Sequence, residues 1–376
     1  MHASPTGPLA TRHGRAWRPA VAAAAAVTAA LGLAACGGGT TPTASPTTAA
    51  GGSSTTAAPS GSSTTAAPSG SATTAAPSGK SYTIAMVPGI TTDPFYITMH
   101  VGAAKEAKKL GVKLVWQGGT AFTPSSQTPV VNALFAQHPS ALIIAPTDST
   151  GMKAPIQQFT KANIPVVSVD TTLKDTSILD ARITSDNTQG GKAAADTLAK
   201  LAHGKGSVAI INVNPGVSTT DARQAGFIKE MQTKYPNMKI VAKEYDQDSA
   251  TKAATEASSI MLANPNLVGI FGTNVFSAEG AGKAVQSAHK GGKVFVAGYD
   301  AEPAEVKLLK SGVINALVMQ QPAKEGSLAV QDAYDILTGK KSQVTKSVTL
   351  PNVVATTKTA SNPDVSKYFY ASSFNG

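Results

Sequence analysis

From Tyr82 onward, short runs of β-branched and aliphatic residues alternate with amphipathic stretches of helical period, and few folds accommodate that pattern. The runs predict strands over 83–87, 112–117, 141–145, 166–169, 207–212, 240–245, 268–272, 294–298 and 315–319. Between them the spacing predicts helices over 95–110, 188–201, 222–234, 251–263, 277–288 and 322–337. The first helix turns Lys105, Glu106, Lys108 and Lys109 outward and stops at Gly111, a residue suited to a C-cap. This alternation implies an α/β protein of parallel sheets with helices on both faces. The 376 residues suffice for one or two cores.

In such sheets ligands sit beyond the carboxyl ends of the strands, so the residues that follow each run are the ones to examine. The first run is followed by PGITTDPFY (88–96), and later runs end in Asp148, in Asp170-Thr171, in the stretch Asn214–Arg223, and in Tyr245-Asp246. Thr273-Asn274, Tyr299-Asp300 and Gln320-Gln321 close the series. Asp and Asn after a strand are often only turn formers or helix N-caps. Taken together, though, carboxylates, amides and rings suit a small neutral polyhydroxylated ligand, whose hydroxyls donate and accept and whose C–H faces are apolar.

The N-terminal region reads differently. Arg12, Arg15 and Arg18 precede an Ala-rich apolar run, then Leu33-Ala34-Ala35-Cys36, which has the layout of an export signal over 1–35. LAAC resembles the bacterial lipobox, which implies cleavage before Cys36 and lipid attachment to it. That would anchor the chain to the outer face of the bacterial cell membrane. Cys36 is the sole cysteine, so no disulfide can form within the chain. Residues 37–79 contain only Gly, Ser, Thr, Ala and Pro, and SSTTAAPSG occurs twice in succession, followed by SATTAAPSG. With no large apolar side chain to bury, this repeat is a tether (36–79 with its anchor) rather than a solenoid. Its Ser/Thr/Pro mix also permits O-glycosylation.

From Tyr82 to about Asn352 the chain resembles the ribose-binding type of periplasmic sugar-binding protein, a type I solute-binding fold. The matching stretches, in order, are TTDPFYITM (91–99), ALIIAPTDS (141–149), ANIPVVSVD (162–170), ITSDNTQGGK (183–192), DARQAGF (221–227), IFGTN (270–274), VAGYD (296–300) and MQQP (319–322). The resemblance implies two Rossmann-like lobes joined by three hinge crossings, near 184–186, 320–322 and 350–352. One lobe comprises 80–184 with 321–350; the other comprises 185–320 with 351–376. It places Phe95 and Tyr96 at the two aromatic positions that sandwich a sugar ring from the first lobe and Tyr245 at the aromatic position of the second lobe. Asp93, Asp170, Arg223, Asn274, Asp300 and Gln320 fall at hydrogen-bonding positions. Two departures stand out: Asp93 replaces an amide, and Thr171 stands where ribose binders carry an arginine. Thr171 makes room for a larger hexose, a polyol or a derivative, and the added carboxylate also suits a ligand with a cationic group. Trp116, Phe122 and Gln127 lie near enough to reach the cleft rim but are expected to be structural.

The resemblance implies a monomeric binding protein that delivers its ligand to an ABC permease. It has no chemistry of its own and no cofactor. There is no glycine-rich lysine phosphate loop, so the ATPase is a separate chain. A signal-binding lipoprotein that passes its closed state to a receptor would look the same in sequence. A glycosidase would need two carboxylates flanking the scissile bond, and Asp93, Asp170 and Asp300 read instead as a hydroxyl-binding ring. A DNA-binding repressor of related fold would need a helix-turn-helix where the export signal stands. Net charge is +10, but without the three N-terminal arginines 29 basic residues face 22 acidic ones, scattered singly or in pairs, unlike a nucleic-acid surface. The six histidines are equally scattered, and no metal site is expected.

Overall fold

The computed structural model describes residues 81–374, so the predicted export signal, Cys36 and the repeat tether lie outside the described residues. The chain begins with β1 (Thr83–Val87), α1 (Pro94–Leu110), β2 (Lys113–Trp116), α2 (Pro124–Phe135), β3 (Ala141–Ile144), α3 (Lys153–Lys161), β4 (Val166–Val169) and β5 (Ala181–Ser185). It continues through α4 (Asn187–Leu201), β6 (Gly206–Asn212), α5 (Ser218–Lys234), β7 (Met238–Tyr245), α6 (Ala250–Ala263) and β8 (Leu267–Gly272). Next come α7 (Val275–Ser287), β9 (Phe295–Tyr299), α8 (Pro303–Lys310) and β10 (Ala316–Met319). The last elements are α9 (Pro322–Leu337), β11 (Ser347–Leu350), β12 (Val353–Thr356) and the single turn α10 (Pro363–Ser366).

Two six-stranded sheets result, in the orders β11-β5-β4-β3-β1-β2 and β12-β10-β9-β8-β6-β7. Every pairing is parallel except that of β12 with β10, which is antiparallel. The central strands β3 and β4 are buried at every position, as a sheet covered by helices on both faces requires. The chain passes between the sheets three times: from β5 into α4, from β10 into α9, and from β11 into β12. These crossings bond to one another. Asp186 N donates to Leu350 O (2.9 Å), Asn352 Nδ2 to Asp186 O (2.7 Å), and Gln321 Nε2 to Pro351 O (2.9 Å).

In each lobe a helix pair carrying cavity residues is drawn close by glycines. A Cβ on Gly191 of α4 would sit 1.9 Å from Arg223 O, and one on Gly226 of α5 would sit 2.1 Å from Thr188 O. In the first lobe Gly102 of α1 and Gly326 of α9 meet Ala323 O and Met99 O in the same way. Neither pair could approach so closely with larger side chains.

One segment departs from the division expected of the sequence. Residues 357–370 pack on the second lobe, but the chain then returns to the first. Ala371 N donates to Thr98 Oγ1 of α1 at 2.7 Å, and the Phe374 ring lies 5.0 Å from that of His100.

Candidate ligand-binding site

At the carboxyl ends of both sheets the lobes enclose a cavity of about 390 Å³, counting its mouth. The lobes touch across that mouth: Ser149 N donates to Gly216 O and Thr172 N to Ser218 Oγ, both at 2.9 Å. This is a closed conformation.

The wall from the first lobe is aromatic. Asp93 is the N-cap of α1, accepting from Phe95 N at 2.7 Å, with Pro94 preset for the first turn. The cap geometry turns Phe95 and Tyr96 into the cavity, their rings edge to face at 5.0 Å. Phe122, from the loop after β2, stacks against Tyr96 with ring centres 6.5 Å apart. Gly89 makes this possible, because a Cβ there would lie 2.2 Å from Phe122 and 2.6 Å from the Tyr96 hydroxyl.

The base is polar and repeats one device in both lobes. Asp170 follows β4 with φ 61°, and its N–H bonds to Ile183 O of β5. Asp300 follows β9 with φ 85°, and its N–H bonds to Val318 O of β10. Left-handed backbone at a non-glycine residue costs on the order of 1 kcal/mol or more and collects at functional sites. Asp170 Oδ2 accepts from the Tyr96 hydroxyl (2.7 Å). Asp300 Oδ1 accepts from Gln320 Nε2 (2.6 Å) and from the Tyr370 hydroxyl (3.1 Å). Arg223 of α5 is only 2 % exposed. It donates from Nε to Asn187 Oδ1 (2.8 Å) and from Nη1 to Thr273 O (2.9 Å), and it lies 4.0 Å from Asp300 Oδ2. Its guanidinium stacks 3.7 Å above the Tyr299 ring.

Of the ten residues singled out in the sequence, the structure brings eight around this cavity: Asp93, Phe95, Tyr96, Asp170, Arg223, Asn274, Asp300 and Gln320. Thr171 is buried beside Asp170 but does not line it. Tyr245 does not line it either. It ends the edge strand β7, and the backbone then turns through Gln247 (φ 58°) and Asp248 (φ 61°). That turn delivers Asp248 to the cavity instead, where its Oδ1 accepts from Asn274 Nδ2 at 2.7 Å. Phe122 lines the cavity, whereas Gln127 is buried in the first lobe with its amide bonded to Pro88 O, Ala145 O and Thr147 N. Trp116 packs on His100 and Phe374 away from the cavity. The second-lobe wall is completed by Val217, Thr219 and Thr220, which fall in the strand-end stretch 214–223, and by Val213 just before it.

Four carboxylates thus share the cavity with one guanidinium. Burial, reinforced by Glu302, Asp300 and Asp248, raises the Asp93 carboxyl well above its ordinary value. Burial also raises Asp170 to about 6, with Arg223 and the Tyr96 hydroxyl opposing it. Asp248 rises to about 6 for the same reason, opposed by its bond from Asn274. Thr220 Oγ1 and Gln320 Oε1 are buried with no protein partner. Among the described residues, no group of His, Cys, Asp and Glu is placed to hold a metal ion, and no helix is long and apolar enough to cross a membrane.

Two α/β lobes with three crossings, closed over a cavity at their strand ends, define a binding protein of type I architecture. The chain belongs to the periplasmic binding protein family, whose domain matches residues 84–341. It is similar to the ribose import binding protein RbsB of Bacillus subtilis, with 33% identity over 72% of this chain and 86% of that one. It is also similar to the D-allose-binding periplasmic protein of Escherichia coli, with 29% identity over 67% and 83%. Among solved structures, an ABC transporter solute-binding protein of Agrobacterium vitis bound with α-D-tagatopyranose superposes with a TM-score of 0.75. It is 37% identical and covers 77% of this chain and 99% of its own.

Proposed function

We propose that this chain is the solute-binding component of an ABC importer, closing its two lobes over one sugar or sugar-like polyol. It hands that ligand to a permease driven by a separate ATPase chain. The observation that carries this reading is the cavity itself: three aromatic rings on one wall face a floor of Asp, Asn, Gln and Arg groups. Rings cover the C–H face of a sugar, and charged groups bond its hydroxyls strongly in a dry site. Similarity to ribose- and allose-binding proteins and to a tagatose-bound one supports the same ligand class.

The cavity binds and does not react. Each carboxylate is held by a protein donor: Asp93 by Phe95 N, Asp170 by Tyr96, Asp248 by Asn274, and Asp300 by Gln320 and Tyr370. Groups fixed in this way serve as acceptors for hydroxyls. Cys36 carries the lipid that keeps a monomeric chain at the outer face of the membrane, with the repeat as tether. Labelling with a radioactive or alkynyl fatty acid tests the anchor, since Cys36→Ser must abolish incorporation. A thermal-shift screen of residues 80–376 against pentoses, hexoses, polyols and amino sugars tests the ligand class. A ligand at 100 times its dissociation constant adds about 2.7 kcal/mol, a shift of several degrees. If only non-carbohydrates shift the midpoint, the sugar reading fails.

A further inference from the structure

The family match ends at residue 341, yet a residue well beyond it bonds from behind to two residues that line the cavity, Asp300 and Gln320. Tyr370 is buried, 6 % exposed, and its backbone N–H bonds to Ala301 O of the second lobe at 3.0 Å. Its hydroxyl donates to Asp300 Oδ1 (3.1 Å) and accepts from Gln320 N (3.2 Å), at one of the three crossings. With Gln320 Nε2 on the same Oδ1, Asp300 has one oxygen saturated by the protein, while Oδ2 stands toward Arg223. The Tyr370 ring meets Phe95 of the first lobe at 5.8 Å, edge to face. The next residue, Ala371, bonds across to Thr98 Oγ1 of α1, and Phe374 seats against His100 of that helix.

We propose that Tyr370 is a positioning residue of the ligand cavity and the clasp by which the C-terminal segment holds the lobes together. Its hydroxyl sets the Asp300 carboxylate so that Oδ2 is presented to the ligand. Its ring braces Phe95, the wall on which the ligand stacks. The contact with Asp300 lies within the second lobe, whereas the contact with Phe95 crosses the gap that opens when the lobes part, as does the bond from Ala371 to Thr98. Closure therefore completes the aromatic wall beside an acceptor that Tyr370 already holds in place, and the segment after β12 contributes to the closed state.

This inference rests on the reading of the cavity as a sugar site, so its test has one arm with ligand and one without. The chain from residue 36, carrying Cys36→Ser, is titrated with D-tagatose, D-ribose and D-allose. Tyr370→Phe keeps the ring and removes the hydroxyl. It should bind whichever sugar the parent binds about tenfold more weakly, the loss expected of one hydrogen bond to a charged group. In the ligand-free arm, spin labels at Ala154→Cys on α3 and Lys229→Cys on α5, both exposed, report the distance between lobes. Tyr370→Ala should populate a longer distance that the parent and Tyr370→Phe do not. Should Tyr370→Ala fail to fold, Ala371→Pro, which removes the N–H to Thr98, takes its place. Binding by Tyr370→Phe equal to the parent, or an unchanged distance distribution in the Ala or Pro variant, overturns the proposal. If the parent binds none of the three sugars, the ligand reading is what has failed for them, and the distance arm decides the clasp alone.

Discussion

Replacing Arg223 with methionine keeps an unbranched side chain of similar length and removes the only cation that lines the cavity among the described residues. The cost can be worked from its contacts. Breaking a buried ion pair by deleting one partner typically costs about 3–5 kcal/mol, because the remaining charge is left in a low-dielectric site. Here two carboxylates, Asp170 and Asp300, lose their counter-charge, along with hydrogen bonds to Asn187 and Thr273 O and the stack on Tyr299. Asp170 already titrates near 6 with the arginine in place, and removing a cation raises it further. At pH 5.5 the variant can relieve Asp170 by protonation, which brings the loss down toward that of the hydrogen bonds and stacking, about 1–2 kcal/mol. At pH 8 that relief is smaller and the loss should be about 3 kcal/mol. At roughly 2–4 °C per kcal/mol, the ligand-free melting midpoint should fall by about 6–12 °C at pH 8 and by clearly less at pH 5.5. Calorimetric melts of parent and variant at the two pH values read this directly. A deficit equal at both, or none at either, would refute the view that Arg223 is there to balance buried carboxylates.

Four further outcomes are expected. Asp248→Ala should weaken ligand binding by tenfold or more, whereas Tyr245→Ala should stay within about twofold, since only Asp248 lines the cavity; titration calorimetry separates them, and equal losses contradict the placement. Gly226→Ala should destabilise the second lobe by about 1–3 kcal/mol in denaturant melts, because its Cβ would meet Thr188 O at 2.1 Å and push α5 from α4. The ligand-free parent should melt higher at pH 5 than at pH 8, because burial raises Asp246 to about 7 and Glu302 to about 8. In that window the folded state binds more protons than the unfolded one, so stability falls as pH rises toward 8, and a midpoint that rises instead would contradict it. Incubation with nitrophenyl glycosides should release no nitrophenol; steady release that Asp93→Asn abolishes would make the cavity an active site.

Much of the site could be read from sequence because the α/β pattern fixes where strands end, and the residues following them are the site. Asp170, Asn274, Asp300 and Gln320 each lie immediately after a strand or within two residues of one, and all four line the cavity. The helices α2 and α3 were not predicted. The first carries Pro129 within it and polar residues in its opening turn, and the second is only nine residues long. The strands β5 and β11 escaped for a different reason. Both alternate burial residue by residue at one margin of the first sheet, without the apolar run that marks β3 and β4. The resemblance puts Tyr245 at the aromatic position of the second lobe and gives no hint of Asp248, because two successive residues with positive φ leave little trace in sequence. The DQDS stretch that ends in the Ser249 N-cap was the available signal. Tyr370 lies fifty residues beyond Gln320 in the sequence, and only the folded chain brings the two together.

The most direct test of the central claim is isothermal titration of the chain from residue 36, with Cys36→Ser, against a panel of pentoses, hexoses and polyols. The account predicts one-to-one binding of at least one of them, lost in Arg223→Met and in Asp300→Asn while both variants remain folded at the assay temperature. A folded parent that takes up no carbohydrate, or one whose sugar binding survives both substitutions, would place the ligand outside this cavity or outside this chemical class.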